Sequence, residues 1–145
     1  FDLTRSAIGG MSGGGMAAIC GLTNEHPFSA AILEAACGAW LDASGGSTLR
    51  WPAEANLIAE HDPTAHLDDW REIPILAVHA RGDRRVPFDA QMAFLDLLRD
   101  RYEQPEVIKV LALDDTGAID EHVGFGKHSA NVKAREVAFL TEHLK

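Results

Sequence analysis

Positive charge is in short supply in this sequence: 13 lysines and arginines stand against 22 aspartates and glutamates, a formal net charge of −9. Nucleic acid and anionic membrane both call for a basic surface, so neither is expected as a partner. Cysteine is scarce too. Cys20 and Cys37 lie in the apolar stretches AAICGL and EAACGAW and read as reduced core thiols. No apolar run approaches the ~20 residues of a membrane span. There are no internal repeats and no low-complexity tract. The glycine-rich opening carries no G-K-[ST] and no clean G-x-G-x-x-G, which argues against a phosphate or dinucleotide loop. There is also no initiator methionine and no signal peptide. The chain opens mid-pattern, so an upstream segment is expected; the compartment stays open, with the cytoplasm favoured.

What is present is 145 residues, 46% of them hydrophobic, enough for one domain with a real core. Short apolar or β-branched runs alternate with helix-period segments. Ser6–Gly10 reads as a short buried strand, and a helix should run from near Ser12 to about Cys20, ending at Gly21. Ala30–Cys37 reads as a second strand, although its alanines leave a helix open. Ile73–His79 is the clearest strand, with Pro74 tolerated near its start. Phe88–Tyr102 reads as an amphipathic helix with Ala90, Phe94, Leu97 and Leu98 on one face and Asp89 as its cap. Val107–Leu113 is a fourth strand. Asn131–Leu144 closes the chain as a helix, with Ala134, Val137, Leu140 and Leu144 inward. This order predicts an α/β fold, a mostly parallel sheet with flanking helices. The segment Leu41–Trp70 is the least regular, with helical spacing only around Ala53–Glu60; a cover over a cleft and a plain connection are both open.

Gly10-Met11-Ser12-Gly13-Gly14 fits G-x-S-x-G. A strand that turns at once into a helix strains the residue at the turn, and small neighbours at Gly10 and Gly14 relieve the crowding. The Ser12 hydroxyl would then project from the C-terminal edge of the sheet. The new helix would aim its free N–H groups, led by that of Gly13, at a developing oxyanion. Two later loops open onto the same edge. HARGDRRVPF follows the strongest strand and brings Asp83. DEHVGFGKH follows the last strand and brings His122 and His128, with Gly124 and Gly126 letting the backbone bend. Serine, acid, histidine is the chain order of an α/β-hydrolase triad. In that chemistry the histidine takes the serine proton, the serine attacks an acyl carbon, and the acid steadies the imidazolium.

On these stretches the sequence resembles the α/β-hydrolase family, nearest its prolyl-oligopeptidase-like and dienelactone-hydrolase-like esterase branches. The matching residues are DLTRSAIGGMSGGG, DPTAHLDDWREIPILAVHARGDRRVP and EHVGFG. The resemblance implies Ser12 as nucleophile, Asp83 as acid and His122, ahead of Gly-Phe-Gly, as base, with His128 the alternative. His79 resembles the family's strand-end histidine, a structural residue. Ala80 stands where many relatives have glycine, which should shift the loop slightly.

The resemblance further implies that the chain is the C-terminal portion of one α/β-hydrolase domain, with about four strands present. The early strands, and the loop that normally completes the oxyanion hole, lie outside it. Its first strand would be an edge, so an N-terminal partner segment or a homo-oligomer is expected to complete the sheet. The expected activity is hydrolysis of a small carboxylic ester through an acyl-enzyme. A prolyl-oligopeptidase-like peptidase, or a non-catalytic half-domain, is the alternative. No cofactor is implied, since a triad needs none. His61 and His66 with Asp62 nearby lack a convincing third ligand, so no metal is expected. Trp40, Trp51 and Trp70 read as core residues, with a pocket lining as the other use.

Overall fold

The computed structural model describes residues 2, 5–49 and 54–145. Four parallel strands lie side by side in chain order: β1 (Ala7–Met11), β2 (Ala30–Glu34), β3 (Ile75–Ala80) and β4 (Ile108–Leu113). The helices are α1 (Gly13–Leu22), α2 (Ala55–His61), α3 (Phe88–Arg99) and α4 (Ser129–His143), with short 3-10 turns before β3 and β4 and before α4. This is the expected α/β architecture, one parallel sheet flanked by helices.

Alternation along the strands divides the core in two. Ala31, Leu33, Ile75 and Ala77 meet Ile19 and Leu22 of α1 and Phe94, Leu95 and Leu98 of α3. Ala30, Leu76 and Val78 meet Val132 and Phe139 of α4 on the other face. Each fully buried leucine or phenylalanine contributes roughly 1.5–3 kcal/mol. All six residues of β3 are buried, as befits a central parallel strand covered on both sides. Among the described residues β1 pairs only with β2, so it is an edge.

Several expected boundaries move, each for a local reason. β2 stops at Glu34 rather than Cys37, because Ala35 turns left-handed (φ 43°) and its N–H bonds the Val78 carbonyl. α1 runs through Gly21 to Leu22, and Thr23 closes it with its N–H and hydroxyl both on the Cys20 carbonyl. Asp89 does not cap α3; the cap position is Pro87, and Asp89 sits in the first turn. On α3 Leu97 faces out, while Gln91 and Leu95 are buried in its place. On α4 Leu140 and Leu144 pack inward as expected and Val132 and Phe139 join them, while Ala134 and Val137 face out, Val137 at 65% exposure.

The irregular segment is organised by one carboxylate. Asp62, 1% exposed at the end of α2, accepts the Trp40 and Leu41 N–H groups on Oδ2 (2.9 and 2.7 Å). Its Oδ1 accepts the N–H and the hydroxyl of Thr64 (2.8 and 2.6 Å). A cavity of about 1000 Å³ opens between α1 and α2, and another of about 860 Å³ between the segment after β2 and α3. Trp70 packs edge-on to Phe94 and donates to the Tyr102 hydroxyl, a core role. Trp40 packs against the same core and also lines the larger cavity. Trp51 lies outside the described residues.

Candidate active site

Three chain segments reach one point at the C-terminal edge of the sheet. The first is the turn from β1 into α1. Ser12 has φ 54° and ψ −123°, and its N–H is held by the Glu34 carbonyl at 2.8 Å. A non-glycine residue with positive φ is uncommon and costs energy that neighbouring packing must offset. The glycines that allow it are not quite the expected pair. A methyl group on Gly10 would come within 2.6 Å of the Gly14 carbonyl carbon, and one on Gly15 within 2.6 Å of the Ala36 methyl. A methyl on Gly13 or Gly14 would touch nothing. The close approach is therefore between Gly10 and the Gly14–Gly15 peptide, with Gly15 also against β2's exit. The Gly13 N–H begins α1, where helical N–H groups have no intrahelical acceptor.

The second segment follows β3. Asp83 is 4% exposed and spends Oδ1 on the N–H groups of Arg85 and Val86, both at 2.8 Å. Oδ2 is left facing two imidazoles. Burial pushes the Asp83 carboxyl up, but donors from His79, His122, Val86 and Arg85 outweigh it and hold the carboxyl below the usual carboxylate range. Ala80, after the strand-end histidine, is fully buried, and its carbonyl accepts the Asp83 N–H at 3.2 Å.

The third segment is the loop from β4 to α4. Asp115, Asp120, Glu121 and Phe125 all have positive φ, as do Gly117, Gly124 and Gly126. Such a path needs anchors. Glu121 supplies them, accepting the Thr116 N–H and hydroxyl on Oε2 (2.6 and 2.7 Å) and the Gly117 N–H on Oε1. Arg85 ties this loop to the acid's loop through Asp120 at 2.9 Å.

The result is a continuous chain of hydrogen bonds. His122 Nδ1 lies 2.7 Å from Asp83 Oδ2, and His122 Nε2 lies 2.9 Å from Ser12 Oγ. Nδ1 faces a carboxylate and so carries the ring proton, which leaves Nε2 as the acceptor for the serine hydroxyl. Such a series can take a proton from the serine and steady the resulting positive ring.

The whole chain, residues 1–145, matches the prolyl oligopeptidase family, Peptidase_S9. It belongs to that family. The prolyl oligopeptidase family is one of serine hydrolases with the α/β-hydrolase fold. No curated protein matches the chain. Among solved structures it is similar to Pyrococcus horikoshii acylaminoacyl peptidase (22% identity, TM-score 0.73), covering 99% of this chain and 25% of that one. It is also similar to a Mycobacterium tuberculosis puromycin-hydrolyzing peptidase (22%, TM-score 0.73; 99% and 22%). A thermostable esterase is a third (18%, TM-score 0.64; 100% and 32%). The chain thus spans about a quarter of the length of the first structures it matches.

For this member of the prolyl oligopeptidase family, the structure brings Ser12, Asp83 and His122 together and leaves His128 aside. His128 Nε2 meets the Asp114 carbonyl at 3.2 Å instead. His61 is exposed and His66 meets the Glu60 carbonyl; among the described residues no cluster of three metal-binding side chains forms. Cys20 and Cys37 are free thiols, and burial first, then Asp62 and Asp83, pushes Cys37 up to about 12. The anchoring roles of Asp62 and Glu121 were not expected. A signal existed only for Asp62, in the D-P-T stretch that opens a turn with an acidic cap and a proline.

Proposed function

We propose that this chain carries the reacting centre of a serine hydrolase that works by acyl transfer. The observation that carries the reading is the hydrogen-bonded series Ser12 Oγ, His122 Nε2, His122 Nδ1, Asp83 Oδ2 at 2.9 and 2.7 Å. In the first step His122 Nε2 takes the Ser12 proton as Oγ bonds to the substrate's carbonyl carbon. The carbonyl π electrons move onto oxygen, where the Gly13 N–H at the start of α1 stabilises them. His122 then returns the proton to the leaving group, and the carbon–leaving-group bond breaks to give the acyl-enzyme. Water, deprotonated by His122, releases the acid and restores Ser12. Throughout, Asp83 holds the positive ring.

The substrate we assign is a carboxylic ester, which the similarity to a thermostable esterase supports. Cleavage of a peptide bond is the second reading, favoured by the two peptidases above. A second oxyanion donor and the cover of the β1 edge we assign to an N-terminal segment or to a second copy of the chain; that β1 pairs only with β2 among the described residues supports this. Ser12→Ala should lower hydrolysis of a p-nitrophenyl ester by at least about 10⁴-fold with folding intact. Turnover that survives the substitution would sink the reading. Parallel assays on an ester and a matched aminoacyl amide decide between the two substrate classes. Light scattering after size exclusion tests the edge: a stable, folded monomer of this chain alone would count against it.

A further inference from the structure

His79 is wholly buried at the end of β3, and no step above uses it. Its ring stands edge-on to Phe88 at 5.7 Å. Its Nε2 lies 3.0 Å from the Val86 carbonyl oxygen and 3.4 Å from Asp83 Oδ2. Both are acceptors, so Nε2 carries the ring proton. Nδ1 is buried and has no partner among the described residues. Val86 closes a circuit, donating its N–H to Asp83 Oδ1 at 2.8 Å while its carbonyl accepts from His79. Asp83 Oδ2 is therefore drawn on by two imidazoles, His122 at 2.7 Å and His79 at 3.4 Å. Oδ1 is already fixed by two backbone N–H groups, so the carboxyl plane does not depend on His79. What His79 adds is a longer, second contact on the oxygen that holds the base, from an N–H whose main acceptor is the Val86 carbonyl.

We propose that His79 is a positioning residue for the acid: its Nε2–H shares Asp83 Oδ2 with His122 and tempers the carboxylate's hold on the base. The inference rests on the reading of Ser12, His122 and Asp83 as the hydrolytic machinery. Removing the donor concentrates charge on Oδ2, favours the protonated His122 ring, and moves the acid limb of the rate profile upward. The other titratable groups around the carboxylate do not compete for this role. Cys37, after β2, is held protonated by burial. Arg85 is paired with Asp120, and Arg81 with Asp114.

The test is the pH profile of kcat/KM for an ester in the full protein, with rates normalised to sites titrated by a fluorophosphonate. For His79→Leu the acid-limb midpoint should rise by about half to one pH unit, a three- to tenfold loss at pH 6. KM and the alkaline plateau should stay within about twofold. His79→Gln, which keeps an N–H at comparable reach, should bring the midpoint back. Should His79→Leu not fold, His79→Asn takes its place, since its shorter amide cannot reach Asp83. A midpoint equal to that of the unsubstituted protein in the donor-less variant, or a Gln variant displaced as far as Leu, overturns the proposal. A purely structural role would change the yield of titratable sites and leave the midpoint alone. If Ser12→Ala retains activity, the hydrolytic reading itself has failed; if it loses activity while the His79 profiles coincide, only this inference has.

Discussion

Two aspartates lie buried in the loops around the C-terminal edge of this sheet, Asp62 at 1% exposure and Asp83 at 4%. Residue type and burial do not tell them apart. Their hydrogen bonds do. Asp62 spends both oxygens on the chain around it, clamping the exit from β2 to the start of the Pro63–His66 turn. Asp83 spends one oxygen on its own loop and leaves the other facing imidazole. A buried carboxylate with both oxygens taken by the loop around it, three backbone N–H groups and the Thr64 hydroxyl, is an anchor. One with an oxygen in reserve, aimed at a ring that reaches a serine, can do chemistry.

The sharpest way to break this comparison is to neutralise each acid in turn. Asp83→Asn should cost about 10³–10⁴ in kcat, because the ring loses its acceptor and its fixed tautomer, while the protein stays folded. Asp62→Asn should do the reverse, losing roughly 1–3 kcal/mol of stability with the rate per titrated site within about threefold. Denaturant melts beside ester kinetics read both. If Asp62→Asn slows the chemistry as much as Asp83→Asn, the distinction fails.

The two histidines of the last loop sharpen it next. His122→Gln should reduce kcat by about 10⁴-fold or more, and His128→Gln should leave it within about twofold. The elbow glycines come third. Gly15→Ala forces a methyl into Ala36 and should destabilise by about 1–3 kcal/mol, whereas Gly14→Ala, inside the first turn of α1 with open space around it, should be neutral or stabilise by up to about 1 kcal/mol.

The smallest effects are on pH. Asp83's folded-state pKa is depressed, so its contribution to stability is fully present above the usual carboxylate range and is lost as pH falls through its lower folded value. Glu136 on α4 runs the other way. Burial, then the nearby charge of Glu34, raises it to about 7, so stability falls as pH climbs from the usual carboxylate range through about 7. Glu136→Gln should flatten that fall, read as melting temperature against pH.

Which parts of this were legible in the sequence follows from the range of the interactions. The turn at Ser12 and the loops carrying Asp83 and His122 could be placed because each comes directly off a strand, and strands declare themselves by composition. His122 could be preferred over His128 only through the family resemblance, since both sit in the same glycine-containing loop. Of the two anchors, only Asp62 carried a local signal, its D-P-T turn. Glu121 looks like any acidic loop residue until the chain folds Thr116 and Gly117 back onto it. On α4 Leu140 and Leu144 were legible, but Val137 and Phe139 both allow a helical stripe, and the sheet's apolar row, not the helix, chooses between them. Gly14 reads as the crowded glycine in place of Gly15 because the crowding atom, the Ala36 methyl, belongs to a strand exit distant in the chain.

The most direct test of the central claim is mass-spectrometric mapping of a fluorophosphonate adduct on the folded protein, with and without His122→Gln. The account predicts a single adduct on Ser12 that all but vanishes in the variant. Labelling at another residue, or equal labelling of Ser12 without His122, would contradict it.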